Sequence, residues 1–181
     1  MSELKSSVAK EQQKTKPSIE TTLNECLSGD NLKNAMNFAM WLKQNKLNPR
    51  WASRNTYNIK YKGKNLINIR INGNIGLKTL YRLEEGSWFI GHNYKGEHFQ
   101  EDINGSAEHL SMYDQIKEAV FKNIQYCEQC CGCSPGWSAN IFGKQTDHIC
   151  RLTITNPSAE ELEYAKIIIE ATKNRILSST P

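Results

Sequence analysis

Apolar and polar residues alternate with period two over 57–71, while four other stretches repeat with the helical period. Ile19, Leu23, Cys26 and Leu27 fall on one face of a short helix that Ser18 can cap. Ser28-Gly29-Asp30 interrupts it. Asp30 can cap a second helix to about Lys46, striped by Leu32, Ala35, Met36, Ala39 and Leu42 and widened by Phe38 and Trp41. Asn48-Pro49 stops it, because a residue before proline avoids the helical region. Tyr57, Ile59 and Tyr61, then Ile67, Ile69 and Ile71, alternate with polar residues on either side of Gly63-Lys64. That pattern predicts an antiparallel hairpin with one buried face, leaving Lys60, Lys62 and Arg70 on the polar face.

Asn72-Gly73-Asn74 predicts a turn, followed by strands near 77–83 and 87–91. Residues 92–110 have weak periodicity, contain Gly96 and Gly105, and read as a long loop. A helix from about Met112 to Tyr126 aligns Tyr113, Ile116, Ala119, Val120, Ile124 and Cys127. Two further strands, 138–142 and 147–155, are joined by 143–146. Asn156-Pro157 opens the last helix, with Asn156 as N-cap and Glu160, Glu161 and Glu163 at its positive end.

These elements predict a single α+β domain over 18–178, an antiparallel sheet of about five strands packed against three to four helices. Residues 1–17, rich in Lys, Gln, Ser and Glu, read as a disordered tail. The chain has 181 residues, within the usual size of one domain. No apolar run approaches the ~18 residues a membrane helix needs, and the first residues lack a signal-peptide pattern, so a cytoplasmic protein without a membrane partner is expected.

Charge changes this picture, because the net +4 conceals strong segregation. Residues 31–83 carry eleven basic side chains and no acid, whereas 84–128 carry three basic and nine acidic ones. Lys and Arg among Trp51, Tyr57, Tyr61 and Tyr81 suit nucleic acid, since cations neutralise phosphates and rings stack on bases. The competing reading is a solvated face, compensated by the acidic stretch.

The strongest chemical signal is the cysteines, five of six lying between 127 and 150. Cys127-x-x-Cys130-x-x-Cys133 can converge on one ion through a knuckle, with Gly132, Pro135 and Gly136 supplying turns. In the strand from Asp147, alternation puts His148, Cys150, Leu152 and Ile154 on one face, so Cys150 can close a tetrahedral site from a second element. Cys131 and His148 are alternate ligands. Zn2+ is the expected metal. A four-iron iron–sulfur cluster fits the same spacing, although Cys150 is not followed by proline. A redox or soft-metal-sensing thiol, with Cys131 surplus, is a further alternative. Cys26 sits on an apolar helix face and reads as core.

The block Cys127-x-x-Cys130-x-x-Cys133-x-Pro135-Gly136, with Phe142-Gly143-Lys144, Cys150, Asn156-Pro157 and Leu162, resembles small cysteine-rich bacterial proteins of unassigned function. The resemblance implies a recurring cysteine–glycine–lysine unit and no activity. The preceding hairpin loosely resembles small α+β double-wing DNA binders.

His92, His98 and His109 lie with Glu97, Glu101, Asp102 and Glu108 in the long loop, in no recognised ligand spacing. Phosphate-loop, dinucleotide, nucleophile-elbow and zinc-protease motifs are lacking. Tyr57, Tyr61 and Trp88 could line a small-molecule pocket on the sheet. The expected function is a metal-binding α+β module, with structural zinc, acting in ligand binding or regulation. The alternatives are a thiol or iron–sulfur redox protein or metal sensor, and a nucleic-acid binder using 31–83.

Overall fold

The computed structural model describes residues 10–72, 85–92, 100–104, 113–127 and 136–178. The chain is α+β, with antiparallel strands and helices. It divides into two compact units, residues 1–90 with 155–159, and 91–154 with 160–181. Among the described residues there are seven strands rather than about five.

The first unit begins with a helical turn α1 (10–15), followed by α2 (Ile19–Cys26) and α3 (Gly29–Gln44). Ser18 caps α2 as expected, accepting from the Thr21 N–H at 3.2 Å. Ser28, not Asp30, occupies the cap position of α3. The stop of α3 precedes Asn48-Pro49. Lys46 takes φ +60, its N–H donates to the Lys43 carbonyl at 3.0 Å, and the Leu47 N–H donates to the Leu42 carbonyl at 2.8 Å. These two bonds satisfy two of the last carbonyls, and Leu47 is buried.

Strands β1 (Arg50–Ser53), β2 (Thr56–Tyr61), β3 (Lys64–Asn72) and β4 (Ser87–His92) lie in that order. The expected hairpin is β2–β3, with Tyr57 opposite Ile69 and Ile59 opposite Ile67. Its turn residues Lys62 and Gly63 have φ +45 and +79, the left-handed pair whose twist matches a two-residue hairpin. Leu66 is an extra residue between the Ile59 and Lys60 pairings, a bulge that alternation alone did not show. The predicted strand at 77–83 lies outside the described residues.

The packed face of this hairpin carries Tyr57, Ile59, Ile67, Ile69 and Ile71, all buried with Leu23, Phe38, Leu42 and Trp88. Phe38 stacks on Trp41 at 5.9 Å between centroids and meets Trp88 at 6.3 Å. The Tyr57 hydroxyl reaches the Thr22 hydroxyl at 2.6 Å and the Pro17 and Ser18 carbonyls at 3.0 Å, so its polar end is satisfied inside. Asn156 does not cap the last helix. Its side-chain oxygen accepts from the Trp88 N–H at 2.9 Å and its own N–H donates to the Trp88 carbonyl at 2.8 Å. It extends the strand pairing instead.

Residues 10–15 correct the expectation of a disordered tail over 1–17. Gln12 is buried against Asn55, the left-handed residue (φ +51) of the β1–β2 turn. The Gln12 amide donates to Asn55 Oδ1 at 2.7 Å, and the Asn55 backbone N–H donates to Gln12 Oε1 at 3.0 Å. Composition gave no sign of this, because one buried glutamine with two good partners is enough to order a polar segment.

The second unit contains α4 (100–104), α5 (Tyr113–Asn123), β5 (Ile124–Tyr126), β6 (Trp137–Ile141), β7 (Lys144–Thr155) and α6 (Ala159–Ser178). Residues 100–104 are helical where sequence predicted loop. Asp102 is buried and ion-paired with Arg175 of α6, with Oδ2 accepting from a terminal guanidinium nitrogen at 3.0 Å. Asn104 accepts from the Phe142 N–H at 2.8 Å and donates to the Asn140 carbonyl at 3.0 Å. The predicted helix over 112–126 ends at Asn123, and 124–126 pair with β7 as a strand. Ile124 is a β-branched residue facing Leu152, so it fits a pleated surface better than a frayed helix end. Ile116, Val120, Ile124, Ile141, Ile149, Leu152, Tyr164 and Ile168 form one buried cluster.

Replacing Gln12 with Ala removes the acceptor of the buried Asn55 N–H. Thermal and urea unfolding should show a loss of about 1–3 kcal/mol. A change below about 0.3 kcal/mol would show that α1 does not hold the turn.

Candidate functional site

Two of the four predicted thiolates, Cys127 and Cys150, lie in the described part of the second unit. Cys130, Cys131 and Cys133 lie outside the described residues. Cys127 follows β5, and its N–H donates to the His148 carbonyl of β7 at 2.6 Å. Cys150 is two residues further along β7, and both cysteines are half-buried.

Strand β7 does not alternate regularly here. Against β5, Gln125 pairs with Arg151 and Tyr126 with Ile149, leaving Cys150 as the extra residue of a bulge. Against β6, Trp137 pairs with Ile149 and Ala139 with Thr146, leaving one extra residue at 147–148. His148 has φ +58, in the left-handed region. The inference that His148, Cys150, Leu152 and Ile154 share a face therefore fails as a geometric argument: His148 is exposed, Cys150 half-buried, and Leu152, Thr153 and Ile154 all buried. Bulges of this kind re-aim side chains, and these two bracket the fully buried Ile149.

Gly136 resumes the described chain on the far side of the cysteine-rich stretch. A β-carbon at Gly136 would stand 2.9 Å from the His148 carbonyl carbon, 3.0 Å from its Cα and 3.2 Å from Cys127 Cβ. Gly136 also has φ +72. Glycine is required here twice over, by backbone conformation and by close approach. Cys127 and Gly136, which flank residues 128–135 in the sequence, thus both lie against His148 of β7. Cys130 is three residues from Cys127 and Cys133 three from Gly136. The sequence marked Gly136 only as a turn residue; its packing role depends on a neighbour twelve residues away.

Among the described residues, no group of three or more His, Cys, Asp or Glu side chains stands ready to hold a metal. The histidine–carboxylate loop is not assembled as a site in its described part either. Asp102 is ion-paired with Arg175, and His92 is buried, where desolvation lowers its pKa to about 4. His98, His109, Glu97 and Glu108 lie outside the described residues.

The proposed ligand-binding set separates into core and surface. Tyr57 and Trp88 are 1% and 0% exposed, so they are core residues and no pocket wall accessible to a ligand. Tyr61 is half-buried at the end of β2. Lys60 and Lys62 are exposed and Arg70 is half-buried. Arg50 and Arg54, also in the basic 31–83 segment, lie on β1 and in its turn, Arg50 opposite Asn58 and Arg54 near Arg70. Cys26 is half-buried rather than core, accepting from Asn55 Nδ2 at 3.9 Å, and burial raises its thiol pKa. No helix among the described residues is long and apolar enough to cross a membrane. No protein family, curated protein or solved structure matches the chain.

Gly136→Ala should destabilise the protein by about 2 kcal/mol in chemical denaturation, through left-handed strain and overpacking against His148. Gly63→Ala shares the positive φ but meets no atom within 4 Å, so it should cost less. Equal losses would remove the close-approach argument.

His92 gives a pH dependence with a definite sign. Its folded pKa of about 4 lies below the ordinary 6.5, so the unfolded chain binds more protons between these values. Its contribution is complete above about pH 6.5 and falls away as pH drops towards 4, by roughly 3 kcal/mol. Melting temperatures should fall over this window, and His92→Gln should flatten the fall. An unchanged profile in the variant would assign the dependence to other groups.

Proposed function

We propose that this chain is a metal-binding α+β module in which Cys127, Cys130, Cys133 and Cys150 hold one structural zinc ion. The observation that carries the reading is the closure at His148, where both ends of the cysteine-rich stretch meet two residues from Cys150. A tetrahedral thiolate site needs donors from separate places to be brought within about 4 Å of one another, at ~2.3 Å from the metal. Tying both loop ends to β7 lowers the entropy of gathering the remaining two thiolates. Cys131 and His148 are the alternates to any one of the four. Zinc needs no redox partner and suits a structural role next to the β5–β7 ladder. In this reading the metal fixes the loop relative to β7, and the loop serves ligand binding or regulation.

Metal analysis of protein purified without oxygen tests this directly. The expected result is a colourless protein with one zinc per chain, reduced below about 0.2 in Cys127→Ser and Cys150→Ser. Chelation should lower the melting temperature, since metal binding is linked to folding. A metal-free protein whose thiols all alkylate rapidly would overturn the reading, with fast Cys131 labelling indicating redox chemistry instead. Brown protein containing iron would overturn zinc in favour of a cluster.

A further inference from the structure

We infer that the outer face of the β1–β2–β3 sheet is a docking surface for double-stranded nucleic acid. The pairing register defines this face. Arg50 pairs with Asn58, Asn58 with Asn68, and Thr56 with Arg70, so these side chains lie on the same side of the sheet. Lys60 follows Asn58 by two positions on β2 and joins them. Ser53, paired with Thr56, extends the row onto β1. Arg50 and Lys60 are exposed, while Thr56, Asn58, Asn68 and Arg70 are half-exposed. Lys62 and Lys64 stand exposed at the hairpin turn beyond Lys60.

The opposite face holds Tyr57, Ile59, Ile67 and Ile69, and the core covers it. The sheet therefore sorts the chain by chemistry: apolar groups inward, cations and amides outward. No acid lies within residues 31–83 to neutralise the outer face from its own strands. Lys43, on α3, is paired with Glu20. Arg54, in the β1–β2 turn, has its pKa lowered chiefly by burial, which the nearby Cys26 opposes and Arg70 reinforces. The exposed cations Arg50, Lys60, Lys62 and Lys64, on or beside this face, favour an anionic partner.

Size and composition then select the partner. From Thr56 to Lys60 the face runs about 13 Å, and three strands span about 10 Å across. The major groove of a DNA duplex is about 12 Å wide, and a duplex carries one charge per ~1.7 Å of axis. Arg and Lys can meet phosphates, while Asn58, Asn68, Thr56 and Ser53 offer the short donors and acceptors that contact phosphates and base edges. The face carries no large apolar side chain to enter a lipid surface. Tyr57, Ile59 and Tyr61 follow the inward period, and Trp51 pairs with Tyr57, so the aromatic rings are not set out as a stacking platform for single strands.

The test is fluorescence anisotropy of the full chain with a labelled 20-base-pair duplex DNA between 50 and 200 mM salt. Binding should weaken with salt with a log–log slope of about −4, as expected for four or five neutralised phosphates. Arg50→Gln/Lys60→Gln/Lys62→Gln alters three exposed cations, and circular dichroism should show an unchanged fold. It should reduce the slope to about −1 and weaken binding at least ~30-fold at 100 mM salt. Lys10→Gln/Lys14→Gln/Lys122→Gln makes the same charge change elsewhere and should lose less than ~5-fold. No binding at 50 mM salt, or equal losses in the two triple variants, would overturn the proposal. So would equal or tighter binding to a single-stranded 20-mer or to vesicles containing 30% phosphatidylserine.

Discussion

The second unit depends on one departure from regular strand geometry, the left-handed backbone at His148 in β7. A strand that alternated perfectly from 144 to 155 would match one register on both edges. Instead β7 takes an extra residue against β6 and another against β5, on either side of Ile149. That shift presents the His148 carbonyl to Cys127 and leaves room for the bare Cα of Gly136. The buried apolar cluster, with Ile141, Ile149 and Leu152, holds the strand in this shape from within. A non-glycine residue at positive φ costs of order 1 kcal/mol, and the surrounding packing and hydrogen bonds offset it.

The first unit solves a different problem. Its β1–β2 turn places Asn55 at positive φ and fully buried, so every polar group of that residue needs a partner. Gln12 supplies two bonds from the other end of the unit, and the Asn55 carbonyl accepts from the Ile71 N–H at 2.9 Å. With the Tyr57 hydroxyl bound among Thr22, Pro17 and Ser18, the hairpin is fixed to the helices by directional contacts as well as by apolar burial. Fixed in this way, the hairpin turns its cations consistently outward. Arg50, Lys60 and Arg70 come to share one face because of the β-period and the strand registers.

Much of this architecture was legible in the chain itself. Period two over 57–71 identified β2 and β3, and Ser18 marked the start of α2. The polar-face positions of Lys60 and Arg70 followed from the same alternation, whereas Lys62 falls in the hairpin turn at φ +45 rather than on a strand. Less legible were features set by a distant partner. Residues 10–15 looked too polar to order, Asn156 looked like a helix cap, and Tyr57 and Trp88 looked available to a ligand. Each outcome was decided by a contact across many residues: Gln12 with Asn55, Asn156 with Trp88, Tyr57 with Thr22.

The candidate metal centre divides along the same line. Spacing alone singled out Cys127, Cys130, Cys133 and Cys150, because chelation chemistry is written in residue type and separation. Alternation on β7 was the weaker argument, since a bulge inserts a residue without any change in composition. Local periodicity determined which faces are apolar, which carry charge and which thiols are clustered. Tertiary structure decided the strand registers, the closure of Gly136 on His148 and the burial of His92. These depend on backbone hydrogen bonds and excluded volume between segments far apart in sequence, which local periodicity does not encode.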